Sequence, residues 1–287
     1  MGGAGGGCIG HWCPHTSSVD FCEEDYKYSP WVAEVYNALT SLFTISLFPL
    51  FGLVYSNPTR EWRFTLQYLV MIACGVGSFL LHATLGATWQ ASDELPMLLL
   101  VDLFLFTLLD LPADGTYPLK SWLHAAALKV QPWRPWLPSG LAVFVAFQIM
   151  FYWTFQSFYA VFIAHYTSLV LLLIAWSWYF STTHGLLKSL FSRSMFNYLV
   201  VGVVWWLVDM NFCVFLSNNI YKWTGGATFH VLWHFGAALG TYLEILVLVS
   251  LRILTVGQGR GQKRHPKINY ILAGTIPVIV IEKSKKT

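Results

Sequence analysis

Three histidines in this 287-residue chain stand at spacings that suit a metal ion. His230 and His234 are four residues apart, so on a helix both imidazoles project from one face. His82 lies in another apolar segment and could complete a set of three. Three neutral imidazoles form a typical catalytic zinc site, in which a fourth position is left for water. The histidines therefore predict a zinc hydrolase, provided that the fold brings His82 to the pair.

Two further side chains, Ser78 and Asp93, have the chemistry that such a site needs. Ser78 precedes His82 by four residues and shares its helix face, so its hydroxyl can hydrogen-bond a developing oxyanion. Asp93 can take a proton from an attacking water and pass it to a leaving amine. An alternative role for Asp93 is to cap a helix that begins beside it, because aspartate is a good N-cap residue.

Other polar residues admit structural explanations. His230 and His234 could form a bis-imidazole haem site or simply pack together, and a single intramembrane histidine such as His165 is typical of hydrogen-bonded packing. Asp102 lies near the middle of its apolar segment, and Glu244 follows His234 by ten residues, or about 15 Å along a helix. We expect neither carboxylate to contact the metal.

The segments that position these side chains are strongly apolar. Hydrophobic residues make up 56% of the chain and charged residues only 11%, whereas a soluble domain has about 25% charged residues. Most of the apolar runs reach the roughly 20 residues that cross a bilayer as a helix. The sequence predicts an all-α membrane protein, a seven-transmembrane helix bundle formed by runs 31–56, 64–86, 93–112, 137–155, 158–180, 195–216 and 227–251.

Basic residues indicate the orientation of this bundle. With a lumenal N-terminus and a cytosolic C-terminus, all of the 17 lysines and arginines except Lys27 and Lys222 face the cytosol. This orientation brings Ser78, His82, Asp93 and the histidine pair to one depth near the lumenal side. Because the orientation depends on lysines and arginines alone, the convergence of these other side chains supports the zinc site independently. We find no basic patch interleaved with aromatic residues and expect no nucleic-acid partner.

An acidic segment precedes the first apolar run. It contains Asp20, Glu23, Glu24 and Asp25, and Glu34 follows at the start of the helix. Carboxylates this close together repel one another, and a calcium ion would relieve the repulsion because calcium prefers oxygen ligands. The spacing is not that of an EF-hand, so a solvated acidic turn is the alternative.

Two cysteines, Cys22 and Cys213, fall on the lumenal side, where disulfides form, and we predict that they pair. We expect three regions along the chain. These are a disordered glycine-rich leader at 1–15, the seven-helix domain at 16–267, and a cytosolic tail at 268–287 that lies against the membrane interface.

The last residues contain a candidate sorting signal. Lys285 and Lys283 are the third and fifth residues from the end, the arrangement of a dilysine signal that retrieves proteins to the endoplasmic reticulum. Alternatively, these lysines form a basic stop after the apolar stretch 268–282.

Five motifs between residues 16 and 282 resemble those of the alkaline ceramidases, in the same order and with compatible spacing. They are Asp20-Phe21-Cys22-Glu23-Glu24-Asp25-Tyr26 with Ala33-Glu34 and Asn37; Gly77-Ser78 with His82-Ala83-Thr84-Leu85; Asp93-Glu94-Leu95-Pro96-Met97; Asp209 with Phe212-Cys213; and His230-Val231-Leu232-Trp233-His234. The resemblance implies hydrolysis of the ceramide amide to a sphingoid base and a free fatty acid, with zinc catalysis and calcium dependence. It also implies residence in the endoplasmic reticulum or Golgi. Our own hypothesis is that the ceramide enters sideways from the bilayer.

The resemblance also assigns roles to individual residues. Phe21 stands where tryptophan is frequent and Asp25 where asparagine is frequent, and the added charge of Asp25 could alter calcium affinity. The wider superfamily includes the progestin and adiponectin receptors, so a receptor with a structural or weakly hydrolytic zinc site is the alternative function. The implied set is zinc on His82, His230 and His234; catalysis by Ser78 and Asp93; calcium on Asp20, the Phe21 carbonyl, Glu23, Asp25 and Glu34; and a Cys22–Cys213 disulfide.

Overall fold

The computed structural model describes residues 10–111, 131–258 and 264–283. The longest elements among these residues are helical, and each of the seven predicted apolar runs overlaps one of them. The helices are α1 (Val35–Tyr55), α2 (Trp62–Thr84), α3 (Ala87–Leu109), α4 (Leu137–Phe155), α5 (Tyr159–Ser181), α6 (Gly185–Tyr221) and α7 (His230–Gln258). A 3₁₀ turn, Gln131–Trp136, leads into α4, and π-helical turns interrupt α1 and α6.

In the described part of the chain, six of these helices are long and apolar enough to cross a membrane. The remaining helix, α3, is as long as α2 at 23 residues, but Asp93, Glu94 and Asp102 make it more polar. Many large apolar side chains on α4, α5 and α6 are exposed on the outer surface, as expected where lipid rather than water surrounds the protein. The chain is an integral membrane protein.

Two helices begin well before the apolar runs that predict them. Helix α3 starts at Ala87 instead of residue 93, and α6 starts at Gly185 instead of residue 195. The early turns of both helices contain polar residues, which apolarity alone does not reveal. Because Gly86 is the N-cap of α3, Asp93 lies inside the helix, and the alternative that Asp93 is an N-cap is wrong.

Helix α7 is the centre of the bundle. Residues 245–249 are fully buried on every face, the pattern of a helix surrounded by other helices. Close packing against α6 depends on Gly240, because a Cβ at this position would press on the backbone of Tyr198. Small residues are the usual means by which membrane helices approach each other. This packing fixes the axial position of α7 and therefore of the two histidines in its first turns.

The C-terminal tail forms a β-hairpin, which the sequence analysis did not predict. Strand β1 (Arg264–Ile271) pairs antiparallel with β2 (Ile276–Lys283), with Ile271 opposite Ile276 beside the turn. The β-branched run in β2 suits a strand. The hairpin packs on the bundle, where Tyr242 donates to the Pro277 carbonyl at 2.7 Å and Ile279 N donates to Ser56 Oγ at 3.0 Å. Residues 284–287, and with them Lys285, lie outside the described residues.

A network of charges lies at the end of the bundle where α2 begins. Arg63 contacts Asp110 at 2.6 Å and Glu61 at 3.0 Å. Arg134 contacts Asp110 at 3.0 Å, and Arg252 contacts Glu61 at 3.1 Å. Each buried or half-buried charge thus has an opposite charge beside it, which is the condition for keeping charges away from water.

The N-terminal region is in contact with the start of α1. In the described part of the leader, residues 10–15, His11 N donates to the Pro30 carbonyl at 2.9 Å and Trp12 Nε1 donates to the Trp31 carbonyl at 2.8 Å. His15 lies 3.2 Å from the Tyr26 hydroxyl. Residues 1–9 of the predicted leader lie outside the described residues.

Candidate active site

The three predicted histidines meet at one end of the bundle. His82 comes from the last turn of α2, and His230 and His234 come from the first two turns of α7. The imidazoles are buried, and one nitrogen of each lies within 4.8 Å of the others. The ring centroids are 4.6–5.1 Å apart. Three converging imidazole nitrogens could hold a metal ion.

Two of these imidazoles are oriented by neighbours on α1 and at its start. His82 Nδ1 lies 2.5 Å from Glu34 Oε2, and His234 Nδ1 lies 2.9 Å from Thr40 Oγ1. Glu34 reaches His82 because its backbone N–H donates to the His82 carbonyl at 2.9 Å, where α2 ends. Such contacts fix the tautomer and leave Nε2 available, as is common for metal-binding histidines. Nδ1 of His230 is buried without a hydrogen-bond partner.

Asp93 reaches the site because α2 and α3 are in close contact. A Cβ at Gly77 would overlap the backbone oxygen of Ser92, so only glycine permits this approach. The Asp93 carboxylate then lies against α2, where it accepts from the Cys74 thiol at 3.6 Å and lies beside Ser78. Ser78 and Asp93 therefore lie together, one turn of α2 below His82.

Asp209 on α6 supports the start of α7. Its Oδ1 accepts from Phe229 N at 3.0 Å and from the Tyr221 hydroxyl. This carboxylate therefore caps the helix that carries His230, and a negative charge is favourable at a helix N-terminus. Asp209 belongs to one of the five sequence motifs, but the sequence predicts no role for it. Its contact with α7 becomes visible only in the fold.

The acidic segment contains a second group that could hold a cation. Asp20, Asp25 and Glu34 each place a carboxylate oxygen within 4.8 Å of the other two. Glu34 contacts His82 through Oε2, whereas its buried Oε1 has no hydrogen-bond partner. Glu34 thus lies between the acidic group and the histidine triad.

The other two predicted calcium ligands have different surroundings. Glu23 accepts from the backbone N–H groups of Tyr36 and Asn37 at 2.7 and 2.8 Å, so it caps α1. Burial raises the pKa of Glu23 to about 7, although these hydrogen bonds act in the opposite direction. The Phe21 ring packs on His82 and His230, with centroids 4.8 and 4.4 Å away.

Cys22 and Cys213 form a disulfide, as predicted, and it closes a loop of 191 residues between the N-terminal segment and α6. Replacing both cysteines with serine is expected to lower the free energy of unfolding by about 2–5 kcal/mol, because the unfolded chain gains freedom. Thermal unfolding of detergent-purified protein measures this effect. Cys74→Ser, at the free cysteine of the described residues, is the control. A wild-type midpoint unchanged by a reducing agent would contradict the prediction.

An apolar cavity of about 350 Å³ extends from the triad into the bundle. Ser78, Asp93, His230 and His234 line one end, and Glu244 lines the cavity further along α7. The remaining walls are mostly aliphatic and aromatic side chains of α2, α3, α5, α6 and α7. The cavity therefore offers hydrocarbon surroundings to a ligand whose polar part lies at the triad.

Residues predicted to lie away from the metal group do so. Asp102, Glu244 and His165 do not belong to the histidine group, and His165 instead contacts Gln148 at 3.1 Å. The convergence of three histidines also argues against a haem held by His230 and His234 alone, because that alternative gives the third imidazole no role.

Comparison with known proteins agrees with these features. A family model described as Ceramidase matches residues 13–280. An alkaline ceramidase of Arabidopsis thaliana is 30% identical over 284 residues, which cover 97% of this chain and 98% of that protein. Alkaline ceramidase 3 of Mus musculus is 29% identical over 286 residues, covering 96% and 97%. Alkaline ceramidase YPC1 of Saccharomyces cerevisiae is 42% identical over 90 residues, covering 31% and 28%. These matches confirm the resemblance found in the motifs, and the chain belongs to the Ceramidase family.

Proposed function

We propose that this protein hydrolyses the amide bond of ceramides, giving a sphingoid base and a free fatty acid, at a zinc ion held by His82, His230 and His234. The observation that carries the proposal is the convergence of three buried imidazoles with Asp93 at one end of an apolar cavity, in a chain of this family. A polar reaction centre beside a hydrocarbon-lined cavity suits an amide that carries two long tails.

The donor set favours zinc among the candidate metals. Neutral imidazole nitrogens are preferred ligands of zinc, and three of them leave one position open, as catalytic zinc sites require. The contacts of Glu34 with His82 and of Thr40 with His234 are of the kind that orient zinc ligands.

Each residue beside the triad has a separate role in the proposed reaction. Zinc, when bound, polarises the amide carbonyl and lowers the pKa of water toward about 7. Asp93 removes the proton from the attacking water and then delivers it to the departing amine nitrogen as the carbon–nitrogen bond breaks. The Ser78 hydroxyl donates to the oxygen on which negative charge develops. Cys74 donates to Asp93 and holds the carboxylate toward Ser78.

The substrate enters from the bilayer, between α5 and α6. Leu171 of α5 and Leu199 of α6 both line the cavity, yet they are 61% and 39% exposed on the outer surface. These values support a lateral opening, through which a ceramide passes without leaving the hydrocarbon phase.

The seven helices, α3 included, cross the membrane with the N-terminus lumenal. The arginine network lies at the end of α2 opposite to His82, and the hairpin lies at that same end. Basic residues at one end support a cytosolic location for it. The triad is then lumenal, where the Cys22–Cys213 disulfide is stable.

The protein is proposed to reside in the endoplasmic reticulum or Golgi, with Lys283 and Lys285 as the retrieval signal. Replacing both lysines with serine is the test, and unchanged localisation would contradict the role of the signal.

A calcium ion is proposed in the acidic segment, bound by Asp20, the Phe21 carbonyl, Glu23, Asp25 and Glu34. The clustering of three carboxylates and the unpartnered Oε1 of Glu34 support it. Calcium on Oε1 would hold Glu34 in place, and Glu34 would hold His82 through Oε2. Glu34 would therefore connect the bound calcium ion to the position of His82 in the triad.

Calcium affinity is expected to rise as the pH increases through about 7, because Glu23 must lose its proton before it can bind the ion. Terbium luminescence with competition by calcium measures the affinity across this range. Glu23→Gln should bind more weakly and show a smaller change of affinity around pH 7, with the remaining change due to Asp25 and Glu34, whose pKa values are also raised by burial. A wild-type affinity that does not change with pH would contradict the prediction.

The proposed reaction is tested by incubating detergent-purified protein with a panel of ceramides, with calcium present, at neutral and alkaline pH. Equal amounts of sphingoid base and fatty acid are expected by mass spectrometry. A zinc-loaded protein that cleaves none of the ceramides would contradict the proposal and favour the receptor alternative.

A further inference from the structure

A buried polar group lies at the far end of the cavity. Glu244 of α7 is 3% exposed and lines the cavity together with Ser194 of α6. Its Oε1 accepts from the Ser177 hydroxyl of α5, and its Oε2 lies 3.4 Å from the Ser194 hydroxyl. The catalytic chemistry proposed above uses none of these three residues.

The distance from the reaction centre is that of a lipid tail. Glu244 follows His234 by ten residues on α7, and a helix rises about 15 Å over that length. Between the two ends the walls are mostly apolar, with Val170 and Ile174 of α5 and Val101 of α3 among them. A hydrocarbon tail that starts at the triad therefore runs along α7 and meets Glu244 if it is long enough.

The carboxyl group of Glu244 retains hydrogen-bonding capacity toward the cavity. The Ser194 hydroxyl donates to the Gly240 carbonyl at 2.8 Å, a shorter contact than its 3.4 Å distance to Glu244 Oε2. Because a hydroxyl has one proton, Oε2 is the weaker of its two acceptors. A methyl group pressed against Oε2 would leave it buried without a partner, which is unfavourable, whereas a hydroxyl at the same place would satisfy it.

We propose that Glu244, with Ser177 and Ser194, forms a polar floor that limits the length of the substrate tail in this cavity and favours a tail that ends in a hydroxyl. The inference rests on the proposed hydrolysis of ceramides, because it concerns which tails that reaction accepts. It identifies Glu244 as a specificity-determining residue that does not contact the reacting amide.

The first experiment uses the wild-type protein and needs no variant. Hydrolysis is measured on two series of ceramides, one with acyl chains of increasing length and one with sphingoid bases of increasing length. We expect kcat/KM to fall abruptly at one length in one series. At that length, a terminal hydroxyl on the same tail should restore kcat/KM by about tenfold or more, the scale of a single good or poor contact in a binding pocket.

The second experiment separates polarity from shape at the floor. Glu244→Leu removes the polar group at similar size, whereas Glu244→Gln keeps hydrogen-bonding atoms. Glu244→Leu should accept the longer plain tail about tenfold better than wild type and lose the preference for the hydroxyl, and Glu244→Gln should keep the wild-type limit. Asp102→Leu is the control, because Asp102 is also a buried intramembrane carboxylate but is not a lining residue of this cavity.

The outcomes distinguish the floor from the reaction itself. Wild-type hydrolysis without any length limit, or without a preference for the terminal hydroxyl, would overturn the floor and leave ceramide hydrolysis intact. A length profile that is identical in wild type and Glu244→Leu would also overturn it. If the wild type hydrolyses no ceramide of any length, the proposed function fails and the floor fails with it.

Discussion

Replacing His82 with alanine is expected to remove zinc from the purified protein and to abolish ceramide hydrolysis. His82 is the only member of the triad on α2, so two imidazoles on α7 would remain, too few for a tight catalytic zinc site. The loss also leaves Glu34 Oε2 without its imidazole partner inside the protein. Zinc content by atomic emission and hydrolysis should fall together.

His165→Ala is the matched control for this variant. His165 is another intramembrane histidine, on α5, and it contacts Gln148 at 3.1 Å instead of the triad. This control should retain both zinc and activity. If His82→Ala kept a full complement of zinc, or if it hydrolysed ceramide at the wild-type rate, the assignment of the triad would be wrong.

Replacing Asp93 with asparagine is expected to lower kcat by about 10²–10⁴-fold, the usual contribution of a positioned general acid–base group. The amide of asparagine cannot accept the proton of the attacking water, although it is similar in size. Zinc content should stay at the wild-type level, because Asp93 does not belong to the group of side chains that could hold the metal ion. Rates at saturating ceramide, with zinc measured on the same sample, test this expectation.

Glu94→Gln provides the comparison on the same helix. Glu94 also lines the cavity, but its oxygens accept from Tyr152 at 2.7 Å and from Gln90 at 3.0 Å. Both of its carboxylate oxygens therefore have hydrogen-bond partners other than Ser78. Its replacement should have a much smaller effect on kcat. Equal losses of kcat in the two variants would show that removing either intramembrane carboxylate slows the reaction. That result would contradict a specific catalytic role for Asp93.

The parts of the site that follow from spacing and topology could be predicted from the sequence. The four-residue separation of His230 and His234 fixes a shared helix face wherever the helix lies. The positive-inside pattern then places His82 at the same depth, because α2 and α7 must run in opposite directions. The helices also follow from apolarity, since lipid leaves the backbone no other partner than itself.

Contacts between helices could not be predicted in this way. The role of Gly77 depends on the path of the α3 backbone, and the contact of Glu34 with His82 depends on how residues 33–34 pair with the end of α2. Asp209 caps α7 only because α6 returns beside it. Such features depend on tertiary packing, and no local pattern encodes them.

The C-terminal hairpin was missed for a related reason. The run from Ile276 to Ile281 alternates too little to distinguish a strand from an apolar interfacial segment, and the turn places Leu272 and Ala273 at positive φ without a glycine at either position. Its pairing becomes favourable where the bundle buries Val278 and Ile279. Burial at the tertiary level therefore decides the structure of this segment.

The most direct test of the central claim, that a zinc ion on the histidine triad hydrolyses ceramide, is a zinc titration of the wild-type protein. Zinc is removed with a chelator, calcium is kept saturating, and ceramide hydrolysis is measured as zinc is returned in known amounts. Activity is expected to rise in proportion to bound zinc and to reach its maximum at one ion per chain, with no recovery in His82→Ala. Full activity in protein shown to contain no zinc would contradict the claim.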